Sequence, residues 1–311
     1  MAYRRKLLIL SSLVILLSLV YILSLVFDPR RVFSRSSAYT LLEGRLLDRA
    51  DRIVIENPGL TVNLLRRDNV WLVSRGGNEY PARQLRVGDL LAALSRRAAY
   101  PVLATSASSH RQLGLEEGIS RITVRGGAGL PLLDLLIGKG GTGRELYLRK
   151  ANSDQVRSGE DIFTVYTESA LASWYDLRLF PNGPEAGEVQ RLIVYHPAGE
   201  GEGGAFTRSG KGWNLRDLAI EADDTRIDSY IRGILDAEGD DFIPASAVPE
   251  PFPVKGRLVL ELGNGTVLTL SLGEGEASRY IAKLSGSPYL YALADWTVER
   301  LFRDAGYFRG R

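Results

Sequence analysis

The 311-residue chain has no cysteine, two histidines and one methionine. Without cysteine there can be no disulfide, thiolate metal ligand, cysteine nucleophile or lipid-modified N-terminal cysteine. His110 and His196 are the only two and fall in different halves of the chain, whereas a zinc site usually needs three or four ligands. No metal or other cofactor is therefore expected. A surplus of one charge is missing as well: 39 Lys+Arg face 37 Asp+Glu, a net charge of +2. Residues 1–31 hold five of the basic groups and one acid, which leaves 34 basic against 36 acidic groups in the remainder. A body so close to neutral lacks the basic footprint that binding a phosphate backbone requires, so nucleic acid is not expected as a partner. No G-x-S-x-G elbow, H-E-x-x-H or G-K-[ST] occurs. The chain reads as a non-enzyme.

What is present starts with a long apolar run. Residues 7–27, bounded by Leu7 and Phe27, carry no charge, glycine or proline. As a helix at 1.5 Å per residue the run would cover about 31 Å, the hydrocarbon thickness of a bilayer. A cleaved signal peptide usually has an apolar core of about 7–15 residues and a small-x-small cleavage site. Here the run is longer, and Asp28-Pro29-Arg30-Arg31 follows it. The reading is a cytoplasmic tail and uncleaved transmembrane signal-anchor over 1–31. Arg4, Arg5 and Lys6 precede the span while Arg30, Arg31 and Arg35 follow it. The short N-terminal tail stays inside, and the body lies outside the cytoplasmic membrane, periplasmic or extracellular.

With 45% hydrophobic and 24% charged residues, the remainder has the composition of folded protein. It also repeats itself. Arg52-Ile53-Val54-Ile55 matches Arg191-Leu192-Ile193-Val194, and each is followed by a strand centred on a tryptophan, Trp71 or Trp213. An amphipathic helix comes next in each copy, through Val87, Leu90, Leu91 and Leu94 or through Ile227, Tyr230, Ile231 and Ile234. The spacing i, i+3, i+4, i+7 lines one helical face, and Asp223 or Asp224 can cap the second helix. Extended segments from Arg121 and from Arg257 turn at Gly126-Gly127-Ala128-Gly129 and at Gly263-Asn264-Gly265, where both Asn and Gly accept positive φ. The return strands, 132–137 and 267–272, end at Gly138 and Gly273. Further strands are expected at 145–149 with 163–166, and at 279–284 with 289–293. Closing helices contain Leu171 and Trp174, or Trp296, Leu301 and Phe302.

The fold class is α+β: two related modules of antiparallel strands with packed helices, preceded by one transmembrane helix. A stalk covers 32–50, the first module 51–180, a linker 181–188 around Pro181-Asn182-Gly183-Pro184, and the second module 189–311. Whether the modules share a sheet is open at this stage, as is the oligomeric state.

In order along the chain, several motifs carry a family resemblance: the N-terminal anchor, the 69–72 strand, Tyr80-Pro81-Ala82 leading into the helix, and Leu113-Gly114-Leu115. Leu136-Ile137-Gly138 and the 162–165 strand before the Trp174 helix complete the set. The chain resembles the bacterial domain-of-unknown-function family 4340 over nearly its whole length, departing from it at Gly118, where the family tends to have proline. The resemblance implies no established activity. It implies an accessory extracytoplasmic subunit, encoded beside ABC-type transport components like those of gliding-motility systems, with transporter subunits and the lipid bilayer as partners.

Other features weigh less. Gly138-Lys139-Gly140-Gly141-Thr142-Gly143 matches G-x-G-x-x-G, but a dinucleotide fingerprint needs a helix directly after it. A strand pattern follows here, so the run reads as a hairpin turn. Asp236, Glu238, Asp240 and Asp241 form an acidic run after the second helix. It reads as a solvated helix end, since it lacks the EF-hand spacing for calcium. Arg96 and Arg97 occupy the equivalent place in the first copy, so Arg96 and Arg97 with Asp240 and Asp241 are candidate inter-module or inter-subunit contacts. Trp71 and Trp213 read as core, and His110 as a solvated or capping residue. Two other functions stay open: an extracytoplasmic binding protein for a glycan or small solute, sited between the modules, and an envelope hydrolase, because a Ser/His/Asp triad needs no sequence adjacency.

Overall fold

The computed structural model describes residue 17 and residues 38–116, 119–139, 145–197, 202–210, 212–216, 223–275 and 279–308. The expected membrane span 7–27, apart from Leu17, lies outside the described residues, as do Gly118 and 140–143 of the glycine run. Among the described residues no helix is long and apolar enough to cross a membrane.

The first half of the chain runs through β1 (Ala38–Tyr39), β2 (Ala50–Asn57), β3 (Leu60–Arg67), β4 (Val70–Arg75), β5 (Asn78–Pro81) and α1 (Gln84–Ser95). It continues through β6 (Ala98–Ala99), β7 (Val102–Ala104), β8 (Ser120–Gly126), β9 (Leu130–Lys139), β10 (Glu145–Lys150), β11 (Val156–Glu160) and α2 (Thr164–Thr167). The second half holds β12 (Val189–Tyr195), β13 (Glu202–Ser209), β14 (Gly212–Arg216), α3 (Asp224–Leu235) and β15 (Asp241–Ile243). It ends with β16 (Val254–Leu262), β17 (Val267–Glu274), β18 (Tyr280–Leu284), β19 (Leu290–Leu293) and α4 (Asp295–Leu301). The class is α+β, with antiparallel sheets and few helices.

The chain forms two compact units. Unit 1 comprises Met1–Val70 and Leu85–Ala170; unit 2 comprises Trp71–Gln84 and Leu171–Arg311. In unit 1 the strands lie in the order β3-β2-β8-β9-β10-β11-β7, each pair antiparallel. In unit 2 the order is β14-β13-β12-β16-β17-β18-β19-β15, again all antiparallel, and β4 pairs with β5 as a hairpin. Alternation along the strands builds each core. Ile53, Ile55, Val62, Leu64, Ile122 and Val124 are buried in unit 1; Leu192, Val194, Leu258, Leu260, Leu270 and Leu272 are buried in unit 2. Burying each such side chain stabilises the fold by about 1.5–3 kcal/mol before entropy is set against it.

The helical periodicity matches the coordinates. Val87, Leu90 and Leu94 are buried on α1 and Leu91 is half-buried, while all four expected positions of α3 are buried. Asp223 is the α3 cap, its carboxylate accepting from Arg226 N at 3.1 Å. Asp224 does something else: it accepts from Trp213 N at 2.7 Å and so ties α3 to β14.

Three expectations need correction. The segment 163–166 is not a strand; α2 occupies it, with Asp161 Oδ1 accepting from Thr164 N and Phe163 fully buried before the helix. The strand beside β10 is β11, whose sequence Val156-Arg157-Ser158-Gly159-Glu160 is too polar to stand out by hydropathy. At Gly263-Asn264-Gly265 only Gly265 takes positive φ (84°); Asn264 instead accepts from Thr266 N at 2.9 Å through its side chain. The glycines Gly138 and Gly273 do not end their strands, which run on to Lys139 and Glu274.

Close approach is the reason for both of those glycines. A Cβ at Gly138 would lie 2.8 Å from Leu113 O and 2.9 Å from Gly114 O; at Gly273 it would lie 2.9 Å from Pro253 O and from Phe252 Cζ. Gly138→Ala and Gly273→Ala should each destabilise by about 1–3 kcal/mol, since backbone has to move. Gly88→Ala in α1, where a Cβ meets nothing within 4 Å, should stabilise by about 0.5–1 kcal/mol. Urea midpoints followed by far-UV circular dichroism test the contrast; equal effects at Gly88 and Gly138 would refute it.

Candidate functional site

A dense convergence of polar and aromatic groups lies in unit 2, around the β4–β5 hairpin. Gly76 and Gly77 turn the hairpin with φ of 57° and 81°, the double left-handed geometry of a tight two-residue connection. The turn sets Arg75 and Asn78 opposite each other. The segment after Leu171 runs alongside: Arg83 N donates to Trp174 O at 2.8 Å, and Asp176 N to Pro81 O at 2.9 Å. Tyr80 and Tyr175 are thereby buried together with Phe242 of β15. Tyr80 stacks on Phe242 at 4.8 Å between centroids, and Tyr175 meets Phe242 edge-on at 5.2 Å.

Arg75 closes this box. Its guanidinium carbon lies 5.4 Å from the ring centroids of both Tyr80 and Tyr175. Nη1 donates to both Asp241 carboxylate oxygens at 3.0 and 2.9 Å, and Nη2 donates to Phe242 O at 2.5 Å. Burial works against the Arg75 charge, but the Asp241 hydrogen bond and the neighbouring Tyr175 outweigh it and lift its pKa. Burial pushes the Tyr175 phenol up to about 12 against the opposing pull of Arg75, and burial likewise lifts Tyr291 to about 12. Neither tyrosine is a proton acceptor at neutral pH; the group holds the hairpin to β15.

The acidic run does not behave as one solvated helix end. Asp236 is the C-terminal cap of α3, Glu238 pairs with Arg83 at 2.8 Å, and Asp240 accepts from Ala294 N at 2.6 Å ahead of α4. Asp240 and Asp241 thus find these partners within unit 2, while Arg96 and Arg97 follow α1 in unit 1, both exposed. No group of acids, histidines or cysteines suited to a metal forms among the described residues.

A second polar network lies beneath Trp213. Asp228 on α3 accepts from Trp213 Nε1 at 2.9 Å and from Arg208 Nη2 at 3.0 Å, and Arg208 sits 4.4 Å over the indole. Arg208 Nε also donates to Val189 O at 3.1 Å. A cleft of about 610 Å³ opens beside it, lined by Pro184, Gly187, Arg208, Asp228, Arg232 and Leu235. Both donors converge on Asp228 Oδ1, which ties α3 to Trp213 and to Arg208. Trp71 and Trp213 are both buried, in agreement with the core reading.

His110 is buried rather than solvated, and it caps the short helical turn Ala107–Ser109: it is 7% exposed, and its Nε2 lies 3.1 Å from Asp154 O. His196 follows β12 in the other unit. Gly138 sits in β9, and β9 pairs antiparallel with β10 through Lys139 and Leu146, as a hairpin requires and a dinucleotide fingerprint does not. Sequence reasoning passed over Arg75, Tyr175 and Phe242, and met Tyr80 only as part of a family motif. The Gly76-Gly77 pair was the available signal for the hairpin that carries two of them.

The family model described as Domain of unknown function (DUF4340) matches residues 71–255. No curated protein and no solved structure is significantly similar to the chain.

Proposed function

Because the chain belongs to the family described as Domain of unknown function (DUF4340), we propose that it is a single-pass, membrane-anchored accessory or scaffold protein. Its sheet units are displayed outside the cytoplasmic membrane and contact an ABC-type transport or gliding-motility-like envelope complex. The observation that carries this reading is the uncharged run 7–27 ahead of two independently cored units. Pairing of the converging polar groups, Arg75 with Asp241 and Arg208 with Asp228, favours a non-catalytic body. Tethering to the membrane raises the local concentration of partners there, so modest contacts suffice.

We further propose that the units are duplicated copies. Reading strands by rank, β3-β2-β8-β9-β10-β11-β7 and β13-β12-β16-β17-β18-β19-β15 follow one order. The close-approach glycines Gly138 and Gly273 fall in matching strands, which supports a common origin.

In-cell crosslinking followed by purification of the full chain in mild detergent tests the functional reading. Recovery with an ATP-hydrolysing membrane complex is the expected result. Recovery of the chain alone, with no crosslinked partner, would overturn the scaffold assignment.

A further inference from the structure

Unit 1 carries a cluster of arginines on its sheet. On the face of the unit 1 sheet opposite Ile53 and Ile55, Arg52 of β2 stands directly across from Arg125 of β8. Both side chains are exposed, and no carboxylate among the described residues pairs with either. Like charges directly opposite each other destabilise a sheet. Four residues earlier on β8, and on the same face, Arg121 shows the ordinary solution: Asp134 accepts from its Nε at 2.7 Å and its Nη2 at 2.5 Å.

Unit 2 contains the matching position in neutral form. The β2–β8 pairing shifts register between Ala50 and Arg52, and the β12–β16 pairing shifts in the same way between Val189 and Arg191. After the shift Arg191 faces Glu261, with Nη1 3.0 Å from Oε1. After the shift in unit 1, the arginine faces a second arginine.

The surroundings concentrate the charge. Arg52, Arg66 and Arg125 line one hollow of about 340 Å³ with Arg67, Leu65, Ala128 and Gly129, and among the described residues Asp51 is the one acid lining it. Arg66 is held by Asp48 O at 3.2 Å, Ala50 O at 3.4 Å and Asn69 Oδ1 at 3.0 Å, partners that fix its direction and leave its charge in place. Gly126 lets the strands close at the rim, since a Cβ there would lie 2.7 Å from Arg49 O. The Ala128-Gly129 turn, with φ of 56° and 77°, folds back beside it.

The geometry points to an oxyanion site: this hollow binds a phosphate group, either free or as the headgroup of an anionic phospholipid. Guanidinium forks match tetrahedral phosphate oxygens in pairs and keep their charge at every physiological pH. An anion bridging Arg52 and Arg125 removes the repulsion that the empty pair carries.

The full-length chain in neutral detergent micelles is the test material, at constant ionic strength held with chloride. Inorganic phosphate is titrated in one arm. In the other, phosphatidylglycerol or phosphatidylcholine is mixed into the micelles. Thermal midpoints by circular dichroism and apparent affinities are the readouts. Phosphate should raise the midpoint, and Arg52→Gln with Arg125→Gln should weaken its affinity about tenfold or more, as expected for losing charge-assisted contacts. A rise with phosphatidylglycerol but with neither phosphatidylcholine nor inorganic phosphate assigns the site to a lipid headgroup. Arg125→Glu, which rebuilds the arginine–carboxylate pair seen in unit 2, should fold at least as stably as the parent without ligand and lose the response. Arg191→Gln should keep the response. No rise in either arm, or an undiminished rise in Arg125→Glu, would overturn the assignment.

Discussion

Phe242→Ala should cost unit 2 about 3–5 kcal/mol, the usual range for removing a buried phenyl ring that its neighbours cannot close over. Phe242 is 1% exposed and lies within 4.8 to 5.5 Å, centroid to centroid, of Tyr80, Tyr291, Tyr175 and Tyr289. Four rings around one limit collapse into the cavity. Arg75→Ala should cost less, since Arg75 and Asp241 keep about a third of their side-chain surface in solvent (31% and 39%) and pairs that open contribute about 0–1 kcal/mol. Loss of the ring contacts of Arg75 adds to that figure without bringing it to the Phe242 level. The measurement can be confined to the right unit. All four tryptophans, Trp71, Trp174, Trp213 and Trp296, belong to unit 2. Urea unfolding followed by tryptophan emission therefore reads unit 2, while far-UV circular dichroism reads both units. A Phe242→Ala midpoint shift worth under 1 kcal/mol, or one smaller than that of Arg75→Ala, would show that the aromatic cluster is not what holds β15 to the hairpin.

The contrast between Arg75 and Phe242 also explains what could be read in advance. Periodicity is a local property, so Val87, Leu90 and Leu94 announced α1, and the four apolar positions of α3 announced that helix together with its Asp223 cap. Central strands with clean alternation, β2, β8, β12 and β16, were equally legible. Elements stabilised by distant partners were not. β11 is polar and exists because β10 and β7 flank it; the three-residue β15 exists because β19 pairs with it. The tripeptide Phe163-Thr164-Val165 has the composition of a strand, yet a local carboxylate, Asp161, starts a helical turn there. Gly138 and Gly273 were visible as glycines, but their cause lies in backbone from Leu113 and Pro253. The candidate site follows the same rule. Asp240 and Asp241 stood out as neighbours in an acidic run, whereas the Arg75 partner of Asp241 lies 166 residues upstream, a separation no local pattern encodes.

Anchoring, by contrast, rests on a signal that is local and large enough to count. Sixteen of the 21 residues in the run 7–27 are Leu, Ile, Val or Phe. At roughly 0.3–0.6 kcal/mol each on an insertion scale, they favour the bilayer by about 5–10 kcal/mol before the four serines and one tyrosine are set against them. One aspartate near the centre costs about 2.5–3.5 kcal/mol and should leave the chain in the membrane. Two should bring insertion close to balance: Leu16→Asp with Leu19→Asp costs about 5–7 kcal/mol and also removes two of the leucines that favoured it. The expected result is stepwise. The parent and either single variant stay in the carbonate-washed membrane fraction, and the double variant divides between membrane and supernatant. Its tryptophan emission and urea midpoint should match the parent, because all four tryptophans belong to unit 2 and the changed residues precede the first described strand in the sequence. Protease added to intact spheroplasts should digest the body of the parent chain and leave cytosolic markers whole. A parent chain already free in the supernatant, or a body protected in intact spheroplasts, would refute the anchored, outward-facing arrangement.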